Sequence, residues 1–145
     1  MIGSAEESHT EKNPFTAGER FQMLLSSLSA KERSKTLIVP IRDVNRYSVW
    51  VNHLESYLPP FDIVFSNSSL TQSLFRDAGY EVRKTKAYNP REFSATEVRK
   101  RIVSGGDWHS LVPVQVARIL DGIDAEQRLR DAGATVSRGG WCRAR

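Results

Sequence analysis

TLIVPI, residues 36–41, is the run on which the fold turns. It is short, continuously apolar and rich in branched side chains, the composition of a strand buried on both faces in a parallel sheet. Pro40 brings no N–H, so pairing is expected to end there. Upstream, T-A-G-E at 16–19 forms a capping box, and Phe21, Leu24, Leu25 and Leu28 mark one face of a helix ending near Ser29. Downstream, residues 48–58 carry Val51, Leu54 and Leu58 at helical spacing until Pro59 and Pro60 stop them. FDIVF, residues 61–65, reads as a second buried strand. Residues 68–78 follow as a helix with Leu70, Leu74 and Phe75 on one face, Gly79 in the left-handed cap position, and residues 80–84 as a third strand. Further helices are predicted over 112–123 and 125–132, and from Gly133 onward a frayed basic tail.

Strands separated by helices define an α/β domain with a parallel sheet and right-handed crossovers. In such sheets ligands collect outside the carboxyl ends of the strands. Gly3 and Ser4 follow a short first strand at the start of the sequence, Asp43 and Val44 follow residues 36–41, and Ser66 and Asn67 follow residues 61–65. All fall at that edge.

The 145 residues fit one domain, expected over 1–132 with the tail at 133–145. No apolar run approaches the roughly 18 residues of a membrane span, and no apolar leader is visible, so a cytoplasmic protein is expected. A lone Cys142 excludes a disulfide framework and a cysteine metal cluster. The net charge of +4 suits an anionic ligand. The cations are spread along the chain, apart from small clusters at 83–86 and 99–101, and neither zinc ligands nor an RNP-like motif is present, so nucleic acid is not the expected partner.

The chemistry concentrates in FSATEVRKRI, residues 93–102. Ser94 can cap a helix while Glu97 reaches back to the cap's amide, leaving the remaining first-turn amides and the dipole to favour an anion. Thr96 and Arg99 add a hydroxyl and a fork of donors in or just past that turn. Many helices open on such a box and bind nothing, so the motif alone leaves both readings open.

FSATEVRKR resembles the ISSTxxR signature of the HxGH nucleotidyltransferases, in which hydroxyls and the arginine grip a nucleoside triphosphate. GSAEESHTEKNPFTAGER (3–20), RDVNRYSVW (42–50) and PPFDIVFSN (59–67) resemble more narrowly the archaeal-type nicotinamide-nucleotide adenylyltransferases. The resemblance implies a Rossmann-like nucleotidyltransferase fold and transfer of AMP from ATP to nicotinamide mononucleotide, giving NAD and pyrophosphate. It further implies Mg2+ arriving with ATP, and hexameric relatives. It places Ser66, Asn67, Ser94, Thr96 and Arg99 on ATP, with Arg99 acting on the β- and γ-phosphates. Gly3, Ser4, Lys12, Asp43, Val44 and Trp50 go to the mononucleotide, with Trp50 as the wall for its ring. Without the resemblance, Trp50 reads as core and Lys12 as a solvated surface residue. Ser-Asn at 66–67 replaces the family's Ser-Gly turn, and Asn tolerates the left-handed conformation such a turn uses. Ala95 stands where relatives carry Gly or Ser.

One family element is missing from this sequence. GRFxPxHxGH, whose histidines stabilise the transferred phosphoryl group, does not occur, and His9, His53 and His109 do not have its spacing. His9 reads as a loop-ordering hydrogen bonder. The expectation is a chain without the family's first strand, first helix and most of the next strand. In the family's sheet order, 3-2-1-4-5, the runs at 36–41 and 61–65 would then face a gap. Unsatisfied backbone groups there would cost about 1–3 kcal/mol each against a total stability of about 5–15 kcal/mol. Such a chain is expected to fold poorly, rearrange, or recruit the missing elements from another polypeptide. Two alternatives accompany the main reading. One is a nucleotide-binding remnant without activity. The other is a transferase for another phosphorylated acceptor such as pantetheine phosphate, against which Trp50 with Asp43 argues.

Overall fold

The structure is a computed structural model and describes residues 1–137. The first helix, α1 (Ala17–Ser27), starts at Thr16, whose side chain accepts from the Glu19 amide while the Glu19 carboxylate accepts from the Thr16 amide. A second box of the same kind, Ser29 with Glu32, opens the single-turn α2 (Ala30–Arg33), which the sequence reading passed over. Then come α3 (Tyr47–Glu55), β1 (Ile63–Phe65), α4 (Ser69–Asp77), β2 (Glu81–Arg83) and α5 (Ala95–Ser104). A 3-10 turn (His109–Leu111), α6 (Val114–Gly122) and α7 (Ala125–Ser137) complete the order. The last helix runs past Ala132 to Ser137, so its first residues are helical where a tail was expected; the rest of that tail lies outside the described residues. Gly79 and Gly105 take the left-handed conformation, at φ 89° and 70°, that stops α4 and α5.

β1 and β2 pair in parallel, Ile63 opposite Glu81 and Phe65 opposite Arg83, with α4 connecting them. The architecture is the expected α/β one, a small parallel sheet with seven α-helices among the described residues, and it matches a Rossmann-like nucleotidyltransferase fold. The strands are shorter than the apolar runs that announced them. Residues 36–41 form no strand: Ile2 donates to Val39 O (2.9 Å) and accepts from the Ile41 amide (2.8 Å), making an isolated bridge opposite Pro40. Partners on one side only, and a proline that cannot donate, do not make a ladder, and Leu37 stays 66% exposed instead of buried. Residues 61–65 shorten to β1 for a related reason. No strand pairs with its far edge among the described residues, and Phe65 is 60% exposed.

Two cores result. Ile102, Trp108, Ala117, Leu120, Ala125 and Leu129 bind α5, α6 and α7 together, with Phe15, Met23 and Val98 packed on them. Glu19 on α1 receives Arg128 of α7, a half-buried ion pair that ties the chain's beginning to its end. Around the sheet, Ile41, Val51, Leu54 and Phe75 are buried, and Phe75 meets Trp50, Phe61 and Tyr80 edge-on. The faces read from the sequence hold at Val51, Leu54 and Phe75. Leu24 and Leu70 are about half exposed, because no element covers that side of α1 or of α4. Among the described residues no helix is long and apolar enough to cross a membrane.

Candidate active site

α5 begins at Ser94, whose side chain accepts from the Glu97 amide at 3.1 Å. The expected return bond from Glu97 is not made. Arg101, one turn on, takes that carboxylate at 2.9 Å, and its guanidinium holds Glu97 below the ordinary glutamate range. The box is therefore half formed, and the cap's own amide is free of it. Ala95, Val98 and Arg99 line a cleft of about 450 Å3 whose opposite wall is residues 12–15 with Arg20 and Met23 of α1. Arg99 is half-buried in that wall. Thr96, in the same first turn, is exposed.

A second, more polar cleft of about 250 Å3 is lined by Lys12, Asp43, Asn45, Arg46, Tyr47 and Trp50, with α4 residues behind them. Asp43 accepts from the Ser4 hydroxyl at 2.5 Å, across 39 positions of sequence. Trp50 packs edge-on against Phe75, 5.5 Å between centroids, and part of its surface lines this cleft. Lys12 lines both clefts and so marks where they meet.

Of the residues assigned to the mononucleotide, Lys12, Asp43 and Trp50 share a cleft, and Ser4 is bonded to Asp43. Gly3 contributes its carbonyl to Arg20, and Val44 is half-buried without lining this cleft. Those assigned to ATP are divided. Ser66 lines a third, apolar cleft of about 430 Å3 between the 36–41 run and β1, away from the Arg99 cleft. Asn67 does not use the left-handed conformation. Its side-chain amide spends both ends on Thr85, donating to the hydroxyl (2.9 Å) and accepting from the backbone N–H (3.0 Å). His9 bonds Ser8 at 3.0 Å and lines a separate cavity beside α7, so it orders its loop as expected.

Sequence reasoning missed Asn45, Arg46, Tyr47 and Arg20. Asn45 sits at φ 50°, a conformation asparagine adopts more easily than most residues, and that preference was a usable signal. Arg46 precedes α3 without a side-chain cap, and nothing in its local pattern marked it.

A parallel α/β fold carrying clefts lined by cations matches a nucleotidyltransferase of the Rossmann-like class. Over 129 residues, 89% of this chain and 74% of the relative, it is 48% identical to the nicotinamide-nucleotide adenylyltransferase of Methanococcus aeolicus. The enzyme of that name from Archaeoglobus fulgidus is 45% identical over 135 residues, 90% of this chain and 78% of its own. That from Methanothrix thermoacetophila is 45% identical over 130 residues, 90% and 76%. No family model matches the chain. The chain belongs to the nicotinamide-nucleotide adenylyltransferase family.

Proposed function

We propose that this protein transfers AMP from ATP to nicotinamide mononucleotide, forming NAD and pyrophosphate, with the two ligands in the two clefts that meet at Lys12. The observation that carries the reading is this junction, with Asp43 and Trp50 on one side and Arg99 at a helix start on the other. The mononucleotide's cationic ring stacks on the free face of Trp50, where cation–π attraction contributes about 0.5–2 kcal/mol. Lys12 lies between the reacting phosphates. Arg99 and the first-turn amides of α5, with Ser94 and Thr96 beside them, take the β- and γ-phosphates.

The transfer is an in-line displacement. A phosphate oxygen of the mononucleotide forms the new bond to the α-phosphorus of ATP, the bond to the bridging oxygen breaks, and pyrophosphate leaves with that electron pair. No covalent enzyme intermediate is needed, so positioning and neutralisation of the leaving charge are the protein's contribution. Among the described residues no group of three or more histidine, cysteine or acidic side chains is arranged to hold a metal ion. A divalent ion such as Mg2+, bound together with ATP, would supply further neutralisation of the phosphates.

NAD formation by the purified chain from ATP and nicotinamide mononucleotide tests the reading. Arg99→Ala should lower kcat/KM by about 10²–10³, the cost of removing one donor to developing charge. A specific observation favours a second reading, binding without transfer: among the described residues, those lining the two clefts include no histidine. That reading expects both ligands to bind and no NAD to form.

A further inference from the structure

Arg20 projects from α1 to the 3–7 loop and ends among carbonyl oxygens. Its Nη1 donates to Gly3 O (2.8 Å), and its Nη2 to Ser4 O (2.8 Å) and Glu7 O (3.3 Å). Its Nε donates to Thr16 O (3.4 Å), the carbonyl of the residue that caps its own helix. None of these partners is a carboxylate. A guanidinium bonded this way is not serving as one half of an ion pair. Its planar fork instead fixes the distances among several backbone groups, which a lysine ammonium on a flexible stem cannot do.

What it fixes is a loop that would not hold its shape unaided. Ser4 sits at φ 48°, a conformation that costs an L-residue energy, and the carbonyls held by Arg20 lie on both sides of that torsion and on it. From there the Ser4 hydroxyl reaches Asp43, and the Ala5 amide donates to Ile41 O (3.1 Å). Two residues remote in sequence, Ser4 and Asp43, are thus set against each other by a side chain on a third element. We infer that Arg20 is a positioning residue: by clamping the 3–7 loop it holds Ser4 against Asp43 and so shapes the wall of the polar cleft that receives the mononucleotide. This inference rests on the assignment of that cleft made above.

The test uses the full chain, with nicotinamide mononucleotide and ATP titrated separately by calorimetry into wild type, Arg20→Lys, Ser4→Ala and Asp43→Asn. Arg20→Lys keeps the charge and removes the fork, and should weaken the mononucleotide by about tenfold. Arg20 also lines the Arg99 cleft, so unchanged ATP affinity is expected of Ser4→Ala alone. Ser4→Ala should weaken the mononucleotide comparably, and the double variant should be no weaker than the worse single one, because both act through one contact. Hydrogen exchange should show faster turnover at the amides of Ala5 and Glu7 in Arg20→Lys, with α5, α6 and α7 unchanged as the internal control for folding. Wild-type mononucleotide affinity in Arg20→Lys alongside a weakened Asp43→Asn would overturn the positioning role. If Asp43→Asn also binds normally, the cleft assignment beneath it fails instead.

Discussion

Around Ile102 and Leu120, four helices cover one another and an ion pair from α1 to α7 closes the layer. Around Leu54 and Phe75, two strands of three residues and a run held by a single bridge share a core that lies open at Leu37 and Phe65. A helix satisfies its interior backbone from within, so its neighbours need only supply an apolar face. A strand owes half its backbone bonds to each neighbour, and any side left vacant costs it both hydrogen bonds and burial. The helical layer is therefore the more nearly self-sufficient half, and each half carries one of the two clefts that Lys12 lines.

The largest test of this contrast is a matched pair of truncations. Ile102→Ala, at a site 3% exposed, should cost about 2–5 kcal/mol in denaturant unfolding. Val64→Ala in β1, only partly buried, should cost less than half as much. Equal losses would mean that the sheet core is as complete as the helical one. Next in size is Thr16→Ala, which removes a full capping box and should cost about 1 kcal/mol. Ser94→Ala removes the smaller half box of α5 and should cost no more.

The smallest expected effect is in pH dependence. Burial pushes the Glu19 carboxyl up, but hydrogen bonds from Arg128 and from the Thr16 amide outweigh it and hold the group below its ordinary value of 4.5. The folded state thus favours the ionised form. Its contribution is fully present above the ordinary glutamate pKa and is lost as pH falls through the depressed one. Stability curves of wild type and Glu19→Gln should separate at neutral pH and converge on acidification; a gap that stays constant with pH would remove the ion pair from the account.

Legibility in the sequence followed the same division. Capping boxes are read within four residues, so the Thr16 start, the Gly79 stop and the 3.6-residue faces of α3 and α4 were visible in advance. The half box at Ser94 failed because Arg101 competes for Glu97, which is a matter of geometry after folding. The runs at 36–41 and 61–65 had the composition of buried strands, but composition cannot say whether a neighbour is present to pair with them. For the site, Asp43, Trp50, Lys12 and Arg99 were named through resemblance, and each lines one of the clefts or both. Arg20 was quoted within a motif without a role, since its partners are backbone carbonyls that no side-chain pattern reveals.

The account rests on two clefts with separate duties, and one calorimetric experiment addresses both. ATP and nicotinamide mononucleotide are titrated into wild type, Arg99→Ala and Asp43→Asn. Arg99→Ala should lose ATP affinity by at least tenfold and keep the mononucleotide, while Asp43→Asn should do the reverse. If Arg99→Ala binds ATP as tightly as wild type, the α5 cleft does not hold the triphosphate and the central claim is wrong.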